Sequence, residues 1–371
     1  MELIRILVVE DNEQDRETCR DALKRYIHET GKTIAIVECA SIKEAFSKLD
    51  NSFDGAIIDL RLDKQGNEGN SVVQEIINKH FRIPIAILTG TPADAIGNVE
   101  YIGVFKKGEI KYTDLFDMFW DIHNTGLTQI MGGRGIIEQT LSKVFQDNIL
   151  PQRGKWITYG RDDSMRTQRA LLRYTLNHLM HLIDDDQESA YPEETYIYPP
   201  QGNNPRTGYV VRQRTINLSE NSSSAQSNAD SPSFMVMNPA CDLVIRMATG
   251  TCKTDRILLG EIDSLTEVTT SALSGIENTS KKKKKLGEVF KNNYTDYYHW
   301  LPPTDFFAGG FLNFRKISTC SPQSFSAEFD PPRIQISPFF VKDIVARFST
   351  YFARQGQPDI DYDGIIEKLI S

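Results

Sequence analysis

Long apolar runs are missing from this sequence, and that absence excludes the most. No stretch approaches the ~20 consecutive apolar residues that a bilayer helix needs. The first apolar run, residues 6–9, is far too short for a secretory signal, and Glu2 stands where a basic segment belongs. Cysteine is scarce as well. Cys19, Cys39, Cys241, Cys252 and Cys320 are odd in number, widely spread, and form no CxxC pair, so a disulfide scaffold does not fit. A surplus of positive charge is also lacking, the formal net charge being −8. The chain is therefore expected to be cytoplasmic, reduced and outside membranes. Its 371 residues suffice for two or three domains of ~100–200 residues, with real cores and no staple.

What is present is unevenly charged. Residues 1–130 hold 15 Lys+Arg against 22 Asp+Glu, a net of −7, and the remainder holds 27 against 28, a net of −1. The acidity belongs to the first third, which points to a carboxylate-rich site there and away from nucleic acid.

Short apolar runs at 4–9, 33–39, 55–59, 83–88 and 102–105 read as buried parallel strands. Helical patterns at 13–27, 41–49, 69–80 and 111–124 lie between them. Such βα units predict an α/β fold, a five-stranded doubly wound parallel sheet over residues 1–125, with its ligand site outside the carboxyl ends of the strands. Those ends carry Glu10, Asp11 and Asn12 after the first strand and Asp59 after the third. Thr89 and Gly90 follow the fourth, and Lys106 and Lys107 the fifth. Three carboxylates, a hydroxyl and an ammonium thus meet on one rim. Crowded carboxylates repel unless a cation neutralises them, and hard oxygen donors suit Mg²⁺ or Mn²⁺. Acids at strand ends also serve as helix caps, but their joint appearance at these ends favours a site.

The stretches ILVVEDN, GAIIDLRLD, IAILTGTP and VFKKGE resemble the receiver domain of bacterial response regulators, over about residues 3–124. The resemblance implies that Asp59 is the phosphoacceptor. It implies that Glu10 and Asp11 hold Mg²⁺ together with Asp59 and the backbone carbonyl of Arg61. By the same resemblance Thr89 is the hydroxyl that closes on the phosphoryl group, and Lys107 is the site lysine, with Lys106 the other choice. A histidine kinase or kinase-like ATPase is the implied phosphodonor. Two departures stand out. Where receivers carry an aromatic three residues before the lysine, this chain has Val104, or Gly103 if Lys106 is the match. Phe105 and Tyr101 lie nearby but out of phase. The stretch from Thr89 to Lys107 is also short, so a fourth helix near 92–100 is expected to be truncated or irregular.

In the pattern at 111–124, Leu115, Phe119 and Ile122 fit a core stripe. Phe116 and Trp120 form a second stripe, suited to a following domain or a second subunit. The glycines within 126–135 read as a hinge, and a helical connector is expected over 126–185. Ile137, Leu141, Val144 and Phe145 line its first helix. Leu172, Leu176, Leu179 and Ile183 line its second, capped by Ser164, where His178 and His181 stand at i, i+3.

From 186 to 371 an α+β output module is expected, interrupted by an acidic loop at 184–194 and a Ser/Asn-rich mobile loop near 217–233. Five short strand patterns suggest a small antiparallel barrel or a strongly bent sheet. A final helix at 338–355 carries Val341, Ile344, Val345, Phe348 and Phe352, and Gly356 and Pro358 end it. The pieces MNPACDLV, YYHWLPP, FLNFRKIST and SPFFVKDIVARFSTYFARQG resemble a recurring module of uncharacterised bacterial proteins, some near phage-defence loci, which carries no activity with it. Cys241, Asp242, Cys252, His299 and Cys320 are candidate zinc or thiol-site residues. The lysines at 281–285, with Lys291, Arg315, Lys316 and Arg333, are candidate phosphate contacts or a dock for an acidic receiver. The expectation is a phosphorylation-responsive regulator that controls an unidentified partner protein. A receiver-gated hydrolase or nuclease and a nucleic-acid-binding regulator are the alternatives.

Overall fold

The structure, a computed structural model, describes every residue except 1–2, 63–65, 67, 185–188, 201, 203, 215–230, 247–249, 355–359, 361 and 371. It divides into two compact units, Met1–Gln187 and Glu188–Ser371.

In the first unit, the apolar runs become strands that are mainly apolar, as buried parallel strands require, with Arg5 and Glu38 the charged residues within β1 and β2. Strand β1 (Ile4–Val9) lies between β2 (Ile34–Cys39) and β3 (Gly55–Ile58), all parallel. Adding β4 (Ile85–Thr89) and β5 (Gly103–Lys106) gives the order β2-β1-β3-β4-β5. Helices α1 (Glu13–Thr30), α2 (Ile42–Lys48), α3 (Gly69–Asn78) and α4 (Tyr112–Asn124) cover the two faces. Leu7, Ile58, Ile87, Val72 and Ile76 build one core, and Ile6, Ile57, Leu88, Leu115 and Phe119 build the other. Strand order reverses between β1 and β3, so the crevice at their carboxyl ends is the place where this topology leaves room for a ligand.

The fourth helix is absent. Between β4 and β5 only a 3₁₀ turn forms, Pro92–Asp94, and Ala95, Ile96, Val99 and Tyr101 cover the core from an irregular chain. The second stripe of α4 is not free, because Phe116 is fully buried against Tyr26 and Trp120 packs on the same core.

Half of the expected hinge is helix. After α5 (Leu127–Met131), which His123 anchors through Thr128, Arg134 pairs with the buried Asp54. Arg82 reaches the Met131 carbonyl and Glu138, fixing α6 (Ile136–Val144). Helices α7 (Arg153–Asp162) and α8 (Ser164–Asp184) follow. The cap of α8 is Asp163, whose carboxylate accepts from the Arg166 N–H at 2.9 Å, rather than Ser164. Leu172 and Leu176 are exposed rather than core. Ile183 lies among residues whose side chains are outside the described set, and His178 meets Tyr174 edge to face.

The second unit is a curled antiparallel half-barrel with helices. Seven strands form it where the patterns suggested five: β6 (Tyr196–Ile197), β7 (Tyr209–Arg212), β8 (Ser233–Val236), β9 (Ile257–Asp263), β10 (Tyr298–Leu301), β11 (Gly310–Cys320) and β12 (Ile334–Ile336). Their order is β10-β11-β9-β8-β7-β12-β6. Between β8 and β9 lies the short α9 (Ala240–Leu243). Helices α10 (Leu265–Ala272) and α11 (Thr279–Phe290) follow β9, and α12 (Pro322–Glu328) follows β11. Helix α13 (Pro338–Ala353) lays Phe340, Val341, Ile344, Phe348 and Tyr351 on one face of the sheet. Phe352, expected in that stripe, is exposed. The last helix is α14 (Asp363–Ile370). Most of the Ser/Asn-rich segment, residues 217–230, and the terminators Gly356 and Pro358 lie outside the described residues, as do residues 185–188 of the acidic loop. Ser233 already belongs to β8.

Candidate functional site

The site begins with strand register. Val9 pairs with Ile58, so the next residues, Glu10 and Asp59, emerge side by side from neighbouring strands ~4.8 Å apart. Glu10 and Asp59 are almost fully buried and Asp11 is exposed. Ligand atoms of Glu10, Asp11 and Asp59 all lie within 4.8 Å of one another, the one such group of potential metal ligands among the described residues. Asn12 caps α1 by accepting from the Gln14 N–H, and its own N–H donates to Glu10 Oε1 at 3.1 Å. The Arg61 N–H donates to Asp59 Oδ1 at 3.1 Å, which orients the carboxylate on its turn.

Lys107 crosses this group. Its Nζ lies 2.6 Å from Glu10 Oε2, 2.7 Å from Asp15 Oδ2 and 2.8 Å from Asp59 Oδ2. Lys106 is exposed and points away from these acids, as alternation along β5 requires. Thr89 ends β4, fully buried, with its hydroxyl oxygen 3.4 Å from the Thr91 N–H. Val104 is exposed and Phe105 packs in the core, so no aromatic side chain stands at the position three before Lys107.

The electrostatics follow from burial. Burial pushes the Glu10 carboxyl up to about 7, against the hydrogen bond and charge of Lys107. For Lys107 burial opposes the charge, but hydrogen bonds to Asp15, Asp59 and Glu10 outweigh it and raise its pKa. Four carboxylates thus face one ammonium, and Arg16 is engaged with Glu13 and the Glu10 carbonyl. A hard, oxygen-only donor set with surplus negative charge fits a divalent cation. Asp15 was not anticipated from the sequence. It stands in the first turn of α1, where an acid reads as an ordinary helix-start residue, and only the end point of Lys107 brings it into the group.

One glycine is required here. A Cβ on Gly69 would lie 2.1 Å from the Asp59 carbonyl oxygen and 2.7 Å from the Leu60 Cα, because α3 starts directly against the turn that carries Asp59. Gly69→Ala is expected to lower the urea midpoint of the first unit by the equivalent of ~1–3 kcal/mol, the usual cost of overpacking. An unchanged midpoint would refute this close approach.

The remaining candidates do not assemble. Cys241 is exposed on α9, and the Cys252 thiol donates to the Thr254 carbonyl at 3.2 Å. Cys320 is buried opposite Ile257 at one end of β11, whereas His299 pairs with Leu312 eight residues away, about 27 Å along the strand. Neither a zinc site nor a Cys241–Asp242–His299 thiol site forms among the described residues. Of the basic residues, Lys285 pairs with Glu288, Lys316 with Glu261 and Asp263, and Arg315 stacks on Tyr297. The basic patch is therefore partly neutralised within the unit.

No protein-family profile and no curated protein match the sequence. Solved structures do. A response regulator receiver protein from Pseudoalteromonas atlantica is 18% identical over 33% of this chain and 98% of its own, with a TM-score of 0.27. A response regulator receiver domain protein from Clostridium thermocellum is 20% identical over 34% of this chain and 99% of its own, with a TM-score of 0.29. A receiver protein from Sinorhizobium medicae is 15% identical over 33% and 96%, with a TM-score of 0.25. These likenesses cover the N-terminal third. Among the described residues, no helix is long and apolar enough to cross a membrane.

Proposed function

We propose that the first 125 residues are a phosphoryl-accepting receiver and that the chain is a response-regulator-like signalling protein. The observation that carries this reading is the buried Asp59 carboxylate, 2.8 Å from the Lys107 ammonium and grouped with Glu10 and Asp11. Asp59 Oδ attacks the phosphorus of a phosphohistidine on a histidine kinase or kinase-like ATPase. The P–N bond breaks, and its electron pair leaves with the imidazole, which takes up a proton. Lys107 neutralises the transferring oxygens, and the Thr89 hydroxyl supplies a hydrogen bond to the bound phosphoryl group. Glu10, Asp11, Asp59 and the Arg61 carbonyl would hold Mg²⁺, which supplies further charge neutralisation when bound. The new charge on Asp59 then alters binding of a partner protein through the second unit.

Thermal unfolding tests the site. With Mg²⁺ and beryllofluoride at about a hundredfold excess over Kd, the native chain should gain ~2.7 kcal/mol of stability. Asp59→Asn, or omission of Mg²⁺, should remove that gain. An equal gain in Asp59→Asn, or none in the native chain, would sink the reading.

A further inference from the structure

The sheet of the second unit runs from one edge strand, β10, to the other, β6. Tyr196 of β6 reaches across to the chain that follows β10, its hydroxyl donating to the Pro302 carbonyl at 2.7 Å. A cavity of about 320 Å³ lies beside this bridge. Thr195 lines it from the β6 side, His299, Leu301 and Pro302 from the β10 side, and Phe340 and Ile344 from α13. Most of its lining is apolar, and Tyr191 and Phe340 give it aromatic surface. Mostly apolar cavities with a few polar groups are the usual form of a small-molecule site.

One polar side chain of this lining lacks a partner. His299 is 7% exposed, and neither ring nitrogen makes a hydrogen bond among the described residues. Alternation along β10 sends it, with Leu301, to the face that α13 covers. Two charges one turn apart on α13 decide what the ring can do. The Asp343 carboxylate lies 3.8 Å from Nδ1, too far for a hydrogen bond but close enough to favour the tautomer with its proton on Nδ1. The lone pair is then on Nε2, an acceptor without a donor. Burial and the charge of Arg347 keep the ring neutral, and the Arg347 guanidinium is itself held by the Asn292 and Tyr298 carbonyls at 3.1 and 3.0 Å. A buried acceptor with no donor is costly, and a ligand's donor would relieve it.

We propose that this cavity binds a small neutral aromatic molecule whose single N–H or O–H group donates to His299 Nε2. The flanking charges select neutrality, since Asp343 disfavours an anion and Arg347 a cation. Size selects the body. A dry cavity of ~150 Å³ accepts one benzene ring, so about 320 Å³ has room for a fused pair of rings. The site lies within the second unit and uses no phosphoryl chemistry, so its failure would leave the reading of Asp59 untouched.

Calorimetric titration of the full chain at pH 7 with two probes of one shape tests this. Indole carries an N–H donor and benzofuran has none. The native chain should bind indole about tenfold more tightly than benzofuran, the worth of one buried hydrogen bond. In His299→Leu both probes should bind alike, at the native affinity for benzofuran, with a thermal melt showing the fold intact. The comparison within the native chain stands even if that variant fails to fold. No binding of indole up to its solubility, equal affinities for the two probes in the native chain, or a preference for indole that survives in folded His299→Leu would each overturn the proposal.

Discussion

A chain with alanine at position 107 is expected to accept phosphoryl from acetyl phosphate about a hundred- to a thousandfold more slowly than the native chain. That range is the usual cost of removing one positioned charge-stabilising donor. Lys107 touches three carboxylates at once, at 2.6, 2.7 and 2.8 Å, so its removal also leaves Glu10 and Asp59 buried without a cation. Glu10, already pushed up to about 7, should then titrate higher still, and Mg²⁺ should bind with stronger pH dependence. Lys106→Ala is the control. Its side chain is exposed and makes no contact with these acids among the described residues, so the native rate should persist. Asp59→Asn should take up no phosphoryl group at all. Intact-mass time courses with Mg²⁺ separate the three cases. Equal rates in Lys107→Ala and Lys106→Ala would remove Lys107 from the site.

The second unit should unfold in acid earlier than its carboxylates alone would dictate, and His299 should be the cause. Its ring is 7% exposed, and Nδ1 has no hydrogen-bond partner. Burial, aided by the charge of Arg347, pushes its pKa down to about 3. The Asp343 carboxylate, 3.8 Å from Nδ1 and largely exposed, is too distant and too well solvated to offset this. In the unfolded chain the ring titrates near 6.5, as histidines ordinarily do. Between the two values the unfolded state binds the extra proton, so stability falls as pH drops through that window. The slope is at most ~1.4 kcal/mol per pH unit, or roughly 3 kcal/mol by pH 4. His299→Leu removes both the titration and the orphaned nitrogen. Its denaturant midpoint should match or exceed the native one at pH 7, and the advantage should grow steadily toward pH 4. A pH-independent difference between the two proteins would exclude His299 as the origin.

The first unit was legible because its strands are buried on both faces. Runs such as Ile6 to Val9 end abruptly in charge, so the polar rim marks itself. The second unit offered weaker signals. In β10 the alternation is blurred, since Tyr298 and Trp300 are as bulky and apolar as the buried Leu301. Strand β12 has only three residues, too few to show a period. Helix patterns located the helices better than the faces they bury. Leu172 and Leu176 share a stripe and are exposed, whereas Phe116, off the expected core stripe, is completely buried because Tyr26 stands opposite it. Asp15 shows the same limit for charge, since its role depends on where Lys107 ends.

The irregular chain between β4 and β5 has a consequence for how a signal would leave the first unit. A helix there would lock its amides in a ladder and move as a rigid rod. In residues 91–102 the backbone bonds that replace the ladder are Asp94 to Thr91, Ala95 to Pro92 and Ile102 to Ile85. Most of these amides should exchange their hydrogens with solvent quickly, and exchange should slow when a phosphoryl group draws in Thr89 at the head of the segment. The readout at this edge would then be a change in conformational entropy, carried by how tightly Ile96, Val99 and Tyr101 hold to the core, with no displaced helix to see.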